Sequence, residues 1–91
     1  MDPAPNKLTP NPTVVSQPTK DGAVLMEMTT GDCFELNQVG AEIWTALAKG
    51  APLEEIVAAL AGRYQVPSTT IEADARALIA ELRSRGLLSG Q

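Results

Sequence analysis

Cys33 is the residue in this sequence with the most evident reactive chemistry. A thiol becomes a nucleophile or metal ligand as the thiolate, which needs a base or an electropositive setting beside it. Its neighbours are Asp32 and Glu35, which supply the opposite field, so it reads as a partly buried strand cysteine. The chain has no histidine and no second cysteine. That removes His-based triads and acid/base pairs, the usual Cys/His zinc sites, and any disulfide within the chain. Carboxylates cluster at Glu54-Glu55 and at Glu72/Asp74. Both clusters fall near the N-termini of expected helices, where acidic side chains complement the helix dipole. The glycines are isolated and build no phosphate loop. The sequence therefore predicts a non-catalytic protein with no cofactor and no metal.

Composition narrows the class. With 91 residues, one domain is expected. Apolar residues make up 44% of the chain, but Phe34, Trp44 and Tyr64 are its aromatics, so the core must be aliphatic. Net charge is −4, from 11 acidic and 7 basic residues. The basic residues are scattered, with only Arg83 and Arg85 close together, which argues against nucleic acid as a partner. No run approaches the roughly 18 apolar residues of a membrane span. Met1 to Lys7 lack the apolar stretch of a signal peptide. A free thiol suits a reducing compartment, and a soluble, cytoplasmic protein without membrane partners is expected.

These residues must be placed by a small set of elements. Residues 1–12 carry Pro3, Pro5, Pro10 and Pro12 and read as a flexible arm ahead of a domain over 13–91. Thr13 to Gln17 is a β-prone run followed by Pro18. Lys20-Asp21-Gly22 signals a turn. Ala23 to Met28 is almost wholly apolar and reads as a central strand, with Val24, Met26 and Met28 on one face and Ala23, Leu25 and Glu27 on the other. After the Thr29-Thr30-Gly31-Asp32 connection, Cys33 to Leu36 forms a third strand.

Asn37 then caps a helix that places Val39, Ile43, Trp44 and Leu47 on one stripe. Gly40 in its first turn implies a close approach to another backbone, such as that of the sheet, and Gly50 ends it. Pro52 opens a second helix at its first position, with Leu53, Ile56, Val57, Leu60 and Tyr64 inward. Ser68 or Thr69 caps a third, where Thr69 and Glu72 match a capping box. Its stripe is Ile71, Ala75, Leu78 and Leu82, with Ile79 beside it. Gly86 ends it, and Leu87 and Leu88 fold back onto the bundle. Strands followed by helices give an α+β fold, here a three-stranded antiparallel sheet packed on a three-helix bundle.

In a sheet of order 1-2-3 both outer strands are edges. Proline flanks the first, a usual edge protection. Cys33 to Leu36 has neither proline nor lysine, and such an edge beside a helix suits an extended peptide that adds as a strand. The alternative is a small winged-helix DNA-binding regulator using the third helix for recognition, but that helix opens Glu72-Ala73-Asp74, where carboxylates would face phosphates.

Asp21-Gly22-Ala23-Val24-Leu25, Thr30-Gly31 and the run from Phe34 through Leu36-Asn37-Gln38-Val39-Gly40 to Trp44 resemble the PqqD family. Leu53 to Leu60, Tyr64, Glu72 to Leu82 and Gly86-Leu87-Leu88 continue the likeness, which spans Val14 to Leu88. Its most specific part is Leu36-Asn37 with Gly40 and Trp44. Many members carry an aromatic residue near the position of Cys33; this chain departs there.

The resemblance implies a RiPP recognition element with a winged helix-turn-helix-like fold. Such proteins bind the leader of a ribosomally made precursor peptide and present it to modifying enzymes. They include the pyrroloquinoline quinone chaperone, which works with a radical SAM enzyme, and lasso-peptide leader-binding proteins, which work with a separate leader peptidase. The leader joins the third strand and packs against the third helix. On this chain that implies a peptide site of Cys33, Phe34, Glu35 and Leu36, facing Asp74, Ala75, Leu78, Ile79 and Leu82.

Overall fold

The computed structural model describes residues 8–90. Eight elements follow in order: β1 (Leu8–Pro10), β2 (Val14–Thr19), β3 (Gly22–Glu27), β4 (Cys33–Asn37), α1 (Gln38–Ala48), α2 (Leu53–Tyr64), α3 (Ser68–Ser84) and β5 (Leu88–Gly90). Strands β2, β3 and β4 form an antiparallel meander with β3 in the centre, as its apolar run predicts. Its inner residues, Ala23, Leu25 and Glu27, are buried, whereas Met26 and Met28 are exposed on the outer face.

Glu27 is the one buried charged residue among those described. The Thr13 hydroxyl donates to its Oε2 at 2.6 Å and the Thr29 backbone N–H to its Oε1 at 2.7 Å. Those donors, Thr13 first, hold its carboxyl below the ordinary range.

Strand β4 runs into α1 without a spacer. The Asn37 side chain accepts from the Gly40 N–H at 2.8 Å, satisfying one orphan donor of the first turn. A Cβ on Gly40 would stand 3.3 Å from Asn37 Oδ1 and 3.4 Å from Leu36 Cδ2. The close approach is thus to the cap and to the preceding side chain, rather than to a neighbouring backbone. At the other end Gly50, with φ 86°, lets its own N–H reach Leu47 O and the Ala51 N–H reach Ala46 O, the paired bonds of a Schellman ending.

The two later helix starts differ from expectation. Pro52 is the N-cap of α2 rather than its first residue, with ψ 149°. Pro67 caps α3, one or two residues before the expected Ser68 or Thr69, and the capping box does not form. The reason is the shift of the cap: with Pro67 as N-cap, Thr69 already lies inside the helix, the third helical position is Thr70, and Glu72 stands too far along to reach back. Glu72 instead pairs with Arg76 one turn on, at 2.8 Å. The α2 ending is also distinctive, because Gln65 is left-handed at φ 56° without being glycine.

The core is aliphatic apart from Trp44 and joins Leu25 and Leu36 of the sheet to Ile43, Leu47, Ile56, Leu60, Ile71, Ala75 and Leu82 of the helices. Leu87 and Leu88 fold back and are buried. A second, two-stranded sheet accompanies them: Leu8–Pro10 pairs antiparallel with Leu88–Gly90. Asn11 fastens its end, its N–H donating to Leu87 O and its Nδ2 to Gly86 O, both at 3.0 Å. Of the arm expected over residues 1–12, residues 1–7 lie outside the described part. Within that arm, Leu8–Pro10 takes its strand hydrogen bonds from a partner at the far end of the described segment.

Candidate peptide-docking edge

The hydrogen-bond phase of the meander tells its two edges apart. The Met28 N–H donates to Thr13 O at 2.9 Å and the Glu27 N–H to Asp32 O at 2.9 Å. In an antiparallel ladder, bonded and non-bonded pairs alternate. Carried along the register, these bonds turn the backbone of Phe34 and Leu36 toward β3 and that of Cys33, Glu35 and Asn37 toward the open side. On β2 the outward set is Val14, Ser16 and Pro18. Pro18 therefore removes a donor from the outer edge of β2, where it costs the sheet nothing. No residue of β4 does so: the N–H and C=O of Cys33 and Glu35 and the N–H of Asn37 stay open along its edge, while the Asn37 carbonyl is the first acceptor of α1.

Side chains along β4 alternate. Leu36 is buried and Phe34 half-buried on the inner face; Cys33 and Glu35 are exposed on the outer one. Cys33 is paired opposite Met26, and its Sγ lies 3.9 Å from Gly31 O. It borders the edge by its backbone, while its side chain belongs to the outer face of the sheet.

One contact fixes which flank of α3 looks toward this strand. The Arg85 guanidinium lies 4.9 Å from the centroid of the Phe34 ring. At 100° per residue, Arg85 shares its flank with Asp74, Leu78 and Glu81. Asp74 and Glu81 are exposed and Leu78 is half-buried against the core. Ala75, Ile79 and Leu82, expected on the same wall, face the interior at 0%, 8% and 0% exposure. Phe34 and Leu78 thus offer apolar surface beside the open edge, bordered by Asp74, Glu81 and Arg85, and Arg85 donates to Glu81 Oε2 at 2.9 Å. Glu81 and Arg85 do not emerge from the sequence as site residues. The helical spacing from Asp74 and Leu78 is the signal that could have found them.

Fold and edge together define a small winged helix-turn-helix-like module whose β4 margin is open beside α3. The family described as Coenzyme PQQ synthesis protein D (PqqD) matches residues 22–88, and the chain belongs to that family. Among solved structures it is similar to one described as TbiB1 in complex with the TbiA(beta) leader peptide, with 37% identity over 91% of this chain and 96% of that one, at a TM-score of 0.83. It is also similar to a lasso peptide synthetase B1 complexed with the leader peptide, with 26% identity over 91% and 98% of the two chains, at a TM-score of 0.83. No curated protein matches it.

Proposed function

We propose that this protein is a RiPP recognition element that binds the leader of a ribosomally synthesised precursor peptide, in lasso-peptide or pyrroloquinoline-quinone-type biosynthesis. The leader adds to β4 as a fourth strand beside α3 and is presented to a modifying or processing enzyme, such as a leader peptidase or a radical SAM enzyme. The observation that carries this reading is the open margin of β4, with the outward backbone groups of Cys33, Glu35 and Asn37 beside Phe34 and Leu78. An incoming strand supplies the missing ladder partners, and every second side chain meets the apolar strip. Both solved relatives are described with a leader peptide bound, which supports it.

In this reading the protein binds and positions without catalysing, and works in the cytoplasm. Among the described residues, no helix is long and apolar enough to cross a membrane. The peptide-contacting residues are the backbone of Cys33 to Asn37 and the side chains of Phe34, Asp74, Leu78, Glu81 and Arg85. Ala75, Ile79 and Leu82 support the wall from behind.

Titration of the isotope-labelled protein with the TbiA(beta) leader peptide, followed by NMR, tests this. Amide shifts should concentrate on residues 33–37 and on Leu78 and Arg85. A saturating complex whose shifts avoid β4 would sink the proposal. Glu35→Pro removes an outward donor while keeping the β3 bonds, so it should weaken binding roughly three- to tenfold, the worth of about one hydrogen bond.

A further inference from the structure

A cleft of about 460 Å³ opens on the other flank of α1, between the β2–β3 turn and α2. It shares no residue with β4 or α3. Ile56 and Leu60 are buried at its floor, and Ala41, Thr45 and Ala59 keep its walls low. Lys20, Lys49 and Arg63 stand around it with Glu42. These are three of the seven cations of a chain whose net charge is −4. Glu42 is engaged: Arg63 and the Tyr64 hydroxyl both donate to it, tying α2 to α1. Exposed Lys20 and Lys49 form no ion pair among the described residues.

Two features favour a macromolecular occupant. Small-ligand sites aim a few polar groups into the cavity, whereas Ile56 and Leu60 make this floor apolar and Glu42 is already held by Arg63 and Tyr64. An apolar floor with charge confined to the rim is the anatomy of a protein interface. Two helices set the long walls, and small side chains at Ala41, Thr45 and Ala59 allow a third helix axis to come close.

We propose that this cleft docks an acidic amphipathic helix of a protein partner, whose apolar side chains meet Ile56 and Leu60 and whose carboxylates meet Lys20 and Lys49. The inference stands independently of what occupies β4, and it lets both surfaces be filled at once.

The test uses an end-capped, alanine-based helical peptide with glutamates at i and i+4 and leucines on the adjoining face. The control peptide has lysine for each glutamate. At low salt the acidic peptide should shift the amides of Lys20, Thr45, Lys49 and Ala59, leave residues 33–37 unmoved, and lose affinity as salt rises. Lys20→Glu with Lys49→Glu should weaken it about tenfold; the double Met variant, with no charge reversal, should weaken it less. Each pair of substitutions is on exposed side chains, and a retained amide spectrum verifies the fold. Equal binding of the lysine peptide, shifts confined to β4, or no shift at any concentration would overturn the proposal. So would concentration-dependent cleft shifts without peptide, which would assign the surface to a second copy of the chain.

Discussion

The Arg85 guanidinium lies over the Phe34 ring at 4.9 Å from its centroid, joining the end of α3 to the strand whose far side is open. An exposed cation–π contact contributes about 0.5–1 kcal/mol. Arg85→Ala should lower stability by about that amount in urea unfolding. Arg85→Lys, which keeps charge but loses the planar group, should fall between.

Gly22 tests the β3–β4 register. A Cβ there would stand 2.0 Å from Leu36 O and 2.6 Å from the Asn37 carbonyl carbon. These are backbone atoms that cannot swing aside, so Gly22→Ala must push β4 away from β3. A loss of about 1–3 kcal/mol or more is expected, measured by urea unfolding, with the largest amide shifts at Leu36 and Asn37.

Gln65 carries the left-handed end of α2 at φ 56°. That conformation costs an L-residue roughly 1–2 kcal/mol, and glycine returns part of the gain through its freer unfolded chain. Gln65→Gly should stabilise by about 0.5–1 kcal/mol, a rise of several degrees in Tm for a domain this size.

Glu27 predicts the acid limb of stability. Thr13 and then Thr29 hold its folded-state carboxyl below the unfolded-state range. A carboxyl lowered on folding contributes fully above its unfolded-state value, and the contribution disappears as pH falls through the folded-state one. Stability should therefore decline below the ordinary glutamate range, near pH ~4.3. Glu27→Gln should flatten that part of the profile, as followed by thermal unfolding from neutral to acid pH.

The strand-to-helix joint was legible in the sequence because its causes are local: period-two apolar residues, then an Asn cap and helical spacing. The meander and the helix stripes were legible for the same reason. The β1–β5 pairing was not, because each strand is three residues long, one holds a proline, and the partners come from opposite ends of the chain. The faces of α3 were legible, but their orientation was not. Spacing grouped its residues into faces, but only the contact between Arg85 and Phe34 says which face meets β4. The open backbone groups at Cys33, Glu35 and Asn37 likewise depend on the phase of the ladder, which no side chain encodes.

The pairing of Leu8 with Gly90 has a consequence for engineering. Entry and exit of the fold stand side by side, so a short linker can close the described segment into a circle, and fresh termini can be cut in an exposed turn such as Lys20-Asp21. The same geometry lets the whole unit be spliced into a surface loop of an unrelated host with little stretching of either backbone. What arrives is a portable docking cassette that carries its β4 margin with it.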